Sequence, residues 1–156
     1  MTKAYLYQQV AWQEVKPETY LHGSQIDFLA DTSVHFQNEL MPSGKLIHSW
    51  SSGVNYFTNR KGAELALLLP GRVYRLTYNM KSRPLNSVFI QISCYDRYDQ
   101  AIETFYMRSS AETFKVPAKM YYYQVSLMNV GCCELIFHHF TLEGPLEEGI
   151  GNDLYD

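Results

Sequence analysis

Five histidines are the residues of this chain best suited to hold a metal ion, and their spacing does not favour one. His138 and His139 are adjacent in a strand-like segment, so their side chains point to opposite faces and cannot share an ion there. His22, His35 and His48 form neither an H-x-H nor an HExxH motif. The sequence therefore predicts no metal site.

The sequence contains no recognisable motif for catalysis or for nucleotide binding. There is no G-x-S-x-G elbow, and neither Cys94 nor Cys133 lies in a recognisable nucleophile context. Asp96 and Asp99 could act as paired carboxylates, but they occupy a predicted hairpin tip, where Asp favours turn geometry. No glycine-rich loop follows a strand and opens a helix. We therefore expect a protein that is not an enzyme and needs no cofactor.

Aromatic and amide side chains on two predicted strands remain as a candidate binding surface. Segments 88–95 and 121–130 each alternate an apolar set with a set that mixes aromatic rings and amides. A sugar packs its C–H face on an aromatic ring and its hydroxyls on amide donors and acceptors. Packing on nearby loops, or docking of a protein, would explain the same pattern. The candidate ligand-binding residues are Trp50, Tyr56, Phe89, Gln91, Tyr95, Tyr122 and Gln124.

Short segments with period-two alternation extend along nearly the whole chain. After the turn at Pro70 and Gly71, apolar and mostly polar residues alternate, as expected for a strand with one buried face. Segment 63–69 contains helix formers, but it is short and stops at Pro70, so we expect a strand or an extended segment. The predicted strands are 5–10, 25–29, 34–37, 46–50, 73–80, 88–95, 102–107, 113–116, 121–130 and 133–143.

Strands at this spacing, separated by turn residues, are typical of a β-sandwich or jelly roll. In segment 88–95 we assign Val88, Ile90, Ile92 and Cys94 to the core. A chain of 156 residues is long enough for one such domain. We place the single sandwich domain at 1–143 and an acidic, mobile tail at 144–156.

Charge and cysteine content narrow the partners and the compartment. The net charge is −3, from 13 basic and 16 acidic residues, with no basic stripe for nucleic acid. The N-terminus lacks a signal-peptide pattern, and no apolar run approaches the length of a membrane span. Three cysteines, two of them adjacent, favour reduced thiols. We therefore expect a cytoplasmic protein that does not bind nucleic acid.

Several segments resemble known families. PGRVYRLTYNMKS, VFIQISCYD and ELIFHHFTLE are similar to the pattern of jelly-roll carbohydrate-binding modules. A more specific order of segments resembles the third accessory secretory protein of Gram-positive bacteria, over about 20–143. These segments are Gly23-Ser24, 34–38, MPSGKLIHSW at 41–50, Asn55-Tyr56 and Pro70-Gly71.

The resemblance implies a non-enzymatic sandwich, similar to a carbohydrate-binding module, that works in the cytoplasm at the membrane. It implies a complex with a glycosyltransferase-like protein and an α/β-hydrolase-like acetyltransferase, both accessory secretory proteins. Such a complex delivers glycosylated serine-rich-repeat adhesins to the accessory secretion motor ATPase, and weak glycan binding would fit it. A stand-alone carbohydrate-binding module is the alternative. MPSGKLIHSW either binds a ligand or only folds, as a turn with Trp50 anchoring the core.

Overall fold

The computed structural model describes residues 5–13, 19–53, 64–107 and 109–146, and these residues form ten β-strands. The strands after the first one begin after residues that favour turns or loops, which separate the apolar period-two segments from one another. The strands are β1 (Leu6–Val10), β2 (Gln25–Phe28), β3 (Val34–Gln37), β4 (Leu46–Ser51), β5 (Val73–Arg83), β6 (Val88–Tyr95), β7 (Ala101–Met107), β8 (Ala111–Lys115), β9 (Tyr122–Asn129) and β10 (Glu134–Leu146).

Two antiparallel sheets share these strands. The first sheet has the order β2-β3-β10-β5-β8, with β1 also paired to β10, and the second has the order β4-β9-β6-β7. Strand β10 is long enough to pair β3 and β1 one after the other and β5 along most of its length. The fold class predicted from the sequence, an all-β sandwich, is confirmed.

The core lies between the two sheets and follows the alternation of the strands. On β6 the four residues assigned to the core are at most 6% exposed. On β5, Tyr74 and Leu76 are 2% and 0% exposed, and both point to the same side of the strand. Burial of these apolar side chains is the main force that holds the sheets together.

Trp50 belongs to this core and not to a binding surface. Its side chain is 0% exposed, its ring lies 5.4 Å from that of Phe137 and 4.9 Å from that of Phe140, and its Nε1 donates to the carbonyl of Ala11 at 2.9 Å. The prediction that Trp50 contacts a ligand is therefore wrong, because the ring is enclosed between the sheets. The alternative interpretation, a core anchor, is confirmed.

A few local boundaries differ from those expected. Residues 64–69 adopt no strand, although Leu65 and Leu68 are buried. Strand β10 begins only after Cys132 and Cys133, and it runs through Leu146, so 144–146 are part of the sandwich and not of the tail. All three cysteines are unpaired. Residues 54–63, including Tyr56, and 147–156 lie outside the described residues.

Candidate ligand face on the four-stranded sheet

Five of the seven candidate residues lie together on the surface of the second sheet that faces away from the core. We call this surface the outer face; its five candidates are Phe89, Gln91 and Tyr95 on β6, and Tyr122 and Gln124 on β9. Register pairs on β6 and β9 place their side chains on one side of the sheet. The period-two pattern therefore identified a contiguous surface, while Trp50 is in the core and Tyr56 is outside the described residues.

Small hydroxyl residues form the middle of the outer face. Ser49, Ser93 and Ser126 are 0%, 6% and 4% exposed, so the longer side chains around them cover their hydroxyls. Gln91 Nε2 donates to Ser93 Oγ at 3.1 Å, and Gln124 Nε2 donates to Ser49 Oγ at 3.2 Å. These bonds fix the two amides. A glutamine amide has a second N–H and a carbonyl oxygen that suit the hydroxyls of a sugar.

A stacked tyrosine pair closes one end of the outer face. The rings of Tyr95 and Tyr122 are 4.8 Å apart and 11° from parallel. A Cβ added to Gly53 would lie 3.4 Å from the Tyr122 ring, so Tyr122 is packed between backbone and Tyr95. The residue in register with Tyr95 on β7 is Ala101, whose methyl group is too small to cover a ring. The ring of Tyr95 therefore offers a platform of the kind that a sugar needs.

The hairpin turn next to this pair positions the Tyr122 hydroxyl. Asp96 Oδ1 accepts hydrogen bonds from the backbone N–H of Tyr98 at 2.8 Å and of Gln100 at 3.0 Å, which confirms the turn role predicted for it. Asp99 adopts a positive φ of 63° and its Oδ1 accepts from the Tyr122 hydroxyl at 3.0 Å. Burial, together with this bond to a carboxylate, raises the pKa of Tyr122 to about 12. Tyr122 thus stays a neutral donor at physiological pH.

A second aromatic pair lies at the opposite end of the outer face. Phe89 packs against Tyr106 of β7 with their centroids 5.8 Å apart, and Tyr106 is 49% exposed. Tyr106 is not among the candidates predicted from the sequence, although alternation along β7 puts it on the same face as Thr104. Residues 89 and 95 are six apart on one strand, or about 20 Å at about 3.3 Å per residue. The face can therefore accommodate an extended ligand.

Histidines serve separate structural roles. His48 is buried and stacks on Trp12 at 4.1 Å; its Nε2 donates to the Trp12 carbonyl at 2.9 Å, so Nδ1 accepts from the Thr19 hydroxyl at 2.7 Å. His35 lies on the first sheet, 2.5 Å from a Glu134 oxygen. Within the described ranges no group of three or more His, Cys, Asp or Glu side chains could hold a metal ion.

A cleft of about 400 Å³ opens between the edge strands β7 and β8, away from the outer face. Phe105, Val116 and Pro117 form its apolar lining, with Glu103 and Lys115 beside them. None of the six candidate residues that the structure describes lines this cleft. The outer face is therefore the candidate site.

The architecture and the outer face define a class of protein: an all-β sandwich of two sheets with an aromatic and polar surface on one of them. Within this class, residues 19–144 match the family model described as accessory Sec secretory system ASP3. The chain belongs to this family. The resemblance read from the segments between Gly23 and Gly71 is thereby confirmed.

Relatives of known sequence or structure agree with this assignment. The accessory Sec system protein of the same family from Streptococcus gordonii is 41% identical over 136 residues, which are 87% of this chain and 86% of the relative. A crystal structure of accessory secretory proteins 1, 2 and 3 from Streptococcus pneumoniae contains a chain 33% identical, with a TM-score of 0.82, over 92% of this chain and 97% of that one. The Glycosylation Associate Protein (Gap123) complex of Streptococcus agalactiae contains a chain 31% identical, also with a TM-score of 0.82, over 88% of this chain and 44% of that one.

In the part of the chain that the structure describes, no helix has the length and apolar character required to cross a bilayer.

Proposed function

We propose that this protein is a subunit of an accessory secretion complex and assembles with accessory secretory proteins 1 and 2. One observation carries the proposal: the chain matches the family over 19–144 and aligns with subunits of two solved complexes at a TM-score of 0.82. In this assignment its partners are the glycosyltransferase-like and the α/β-hydrolase-like accessory secretory proteins.

Within that complex we assign the protein a scaffold or chaperone role without catalysis. It works in the cytoplasm, reaches the membrane through its partners, and supports delivery of serine-rich-repeat glycoprotein adhesins to the secretion motor ATPase. The roles of its polar residues support this assignment. Asp96 builds a turn, Asp99 orients Tyr122, and His48 holds Trp12 inside the core, so these side chains are used by the fold itself.

Co-expression with accessory secretory proteins 1 and 2 tests the proposal. We expect the three proteins to purify together by affinity and size-exclusion chromatography. Deleting the gene should reduce the amount of adhesin at the cell surface, and the wild-type gene should restore it. A protein that elutes alone, with adhesin export unchanged in the deletion strain, contradicts the proposal.

The outer face favours a second role, weak binding of the glycan carried by the exported protein. The Tyr95 platform and the fixed amides of Gln91 and Gln124 match what a sugar requires. The same features would serve the alternative function, a stand-alone carbohydrate-binding module. Co-purification distinguishes a subunit of the secretion complex from a stand-alone module, because a stand-alone module binds sugar without assembling with proteins 1 and 2.

Calorimetry with Ser/Thr peptides that carry N-acetylglucosamine tests the glycan role. We expect Tyr95→Ala to weaken binding about 5–10-fold, because a lost ring contact is worth roughly 1–1.5 kcal/mol. Tyr122→Ala should weaken it through the loss of support for Tyr95. The matched control is Tyr7→Ala, because Tyr7 is 64% exposed and lies on the other sheet. Equal heats for all four proteins, or no heat for any of them, remove the glycan role.

A further inference from the structure

Strand β7 forms an edge of the second sheet, directly beside the outer face. It is the last strand in the order β4-β9-β6-β7, so among the described residues no strand pairs with its side away from β6. It has seven residues, whereas the edge strands β1, β2 and β8 have four or five. A row of backbone N–H and C=O groups without a neighbouring strand is a template for a further strand. The edge of β7 can therefore bind an extended polypeptide.

The opposite edge of the same sheet, at β4, is already occupied. The carbonyl of Ile47 accepts a hydrogen bond from the N–H of Tyr20 at 3.0 Å. The carbonyl of Ser51 accepts from the N–H groups of Glu64 and Leu65 at 2.9 and 3.2 Å. The N–H of Ser51 donates to a carboxylate oxygen of Glu64 at 3.0 Å. These bonds use backbone groups that a further strand would need, so a strand added to the second sheet is expected beside β7.

Alternation along β7 gives the two faces of an added strand different surroundings. Tyr106 is in register with Gln91 and lies on the outer face. Its neighbour Phe105 points to the other side and lines the cleft of about 400 Å³, together with Val116 and Pro117. In a strand paired with β7, successive side chains would likewise point to the outer face and into the cleft. The apolar cleft suits small apolar side chains, while the outer face carries the rings and amides that suit a sugar.

We infer that the edge of β7 binds the exported glycoprotein as an added β-strand, an inference that rests on the proposed glycan role. The segment bound is extended, and in it glycosylated Ser or Thr residues alternate with small apolar residues. Its sugars lie on the outer face and its small side chains enter the cleft. A serine-rich chain has too few apolar residues to fold on its own, so its backbone stays available for pairing. Main-chain hydrogen bonds supply affinity in strand addition, and the surroundings of alternate side chains supply specificity.

Synthetic glycopeptides test the pairing with β7 by calorimetry on the full chain. The main probe is a peptide about as long as β7, in which Ser carrying N-acetylglucosamine alternates with Ala; a single capped glycosylated Ser is the reference. We expect the peptide to bind about tenfold more tightly than the reference, because main-chain hydrogen bonds add to the sugar contact. Methylating the backbone nitrogens of one alternating set of residues should weaken the peptide about tenfold, because successive N–H groups point to opposite sides of a strand. Methylating the other set should change its affinity little.

A substitution in the cleft tests the same inference from the side of the protein. Ala118 is exposed and lines the cleft, so Ala118→Trp fills the space without replacing a core residue. The matched control is Ala111→Trp, because Ala111 is also exposed and does not line the cleft. We expect Ala118→Trp to lower the affinity for the peptide about tenfold, to that of the capped glycosylated Ser, whose own binding is unchanged. The control should behave as wild type. Circular dichroism and melting check folding, and Ala118→Leu replaces the variant if it fails to fold.

The remaining outcomes separate the inference from the proposed function. If the peptide and the capped glycosylated Ser bind equally well, the glycan role stands and the pairing with β7 is overturned. The pairing is also overturned if neither methylated peptide binds more weakly than the unmodified one, or if folded Ala118→Trp binds the peptide as wild type does. If no probe binds, the glycan role is contradicted and the inference falls with it. Co-purification with accessory secretory proteins 1 and 2 is a separate measurement that none of these results changes.

Discussion

Glu134 is the centre of a group of ionisable side chains on the first sheet. One oxygen of its carboxylate lies 2.5 Å from His35 Nε2, and the other accepts a hydrogen bond from Arg83. Asp27 lies 4.0 Å from the second nitrogen of His35. The hydrogen bond from His35, with the positive charge of Arg83, lowers the pKa of the Glu134 carboxyl from its usual value. The group therefore favours the ionised form of Glu134 in the folded state.

The lowered pKa of Glu134 gives a pH dependence with a defined sign. Its contribution to stability is complete above the ordinary pKa of a glutamate and is lost as the pH falls through the lower pKa of the folded state. We expect Glu134→Gln to reduce the melting temperature at pH 7, and the difference from wild type to shrink toward pH 3. Glu112→Gln, in edge strand β8, is the control for removal of a carboxylate. A difference that stays constant between pH 7 and pH 3 contradicts the role of Glu134.

The residue type of Trp50 does not show whether its ring lies in the core or on a binding surface. A tryptophan at the end of a predicted strand fits a sugar platform and a core anchor equally well. Burial decides between them, and it comes from Phe137 and Phe140, which are almost 90 residues away in sequence. Tyr95 and Tyr122, by contrast, were placed correctly because alternation along their own strands determines the face they occupy.

Strand β10 explains how the Trp50 contacts arise. Its register with β5 shifts between Phe137 and His139, so the strand contains one extra residue at this point. In a regular strand, residues three apart point to opposite faces; with the bulge, Phe137 and Phe140 both face Trp50. The sequence predicted the strand but not the bulge, because a bulge depends on the partner strand as well as on local pattern.

A second register shift on β10, between Glu143 and Leu146, depends on Gly144. Gly144 has a φ of 145°, and a Cβ there would lie 2.8 Å from the Tyr74 ring and 3.0 Å from the Val73 carbonyl oxygen. We expect Gly144→Ala to destabilise the fold by about 3 kcal/mol, from roughly 1–2 kcal/mol of backbone strain and roughly 1–3 kcal/mol of overpacking. Chemical denaturation measures this change.

The control for Gly144→Ala is Gly44→Ala. Gly44 also has a positive φ, 91°, but no heavy atom lies within 4 Å of its added Cβ. The control should therefore cost only the backbone strain, roughly 1–2 kcal/mol. Equal losses for the two variants would show that close packing against Tyr74 contributes nothing.

At the scale of the whole molecule, the alternation of apolar and polar residues predicted most of the strands. It also predicted that the strands form two sheets packed face to face. It did not predict the strand order, because pairs such as β1 with β10 join residues 130 or more positions apart. It also could not show that the Tyr95–Tyr122 pair and the exposed Leu40 and Leu85 lie at opposite ends of the sandwich. That placement follows from the way the chain crosses between the two sheets, which depends on the assembled topology.

The C-terminal boundary of the sandwich domain in the structure differs from the one predicted from the sequence. The sequence predicts that the sandwich ends at residue 143, but Gly144 and Pro145 are buried, Gly144 is in register with Leu6, and Leu146 is in register with Val73. Removing these three residues, two of which are paired, from a central strand exposes apolar surface and leaves backbone groups of β1 and β5 without partners. We expect a chain that ends at Glu143 to melt several degrees below one that ends at Leu146, since about 1 kcal/mol corresponds to about 2–4 °C at this size. Calorimetric melting of the two chains measures the difference. Equal melting temperatures would show that residues 144–146 do not stabilise the sandwich and that the domain ends at residue 143.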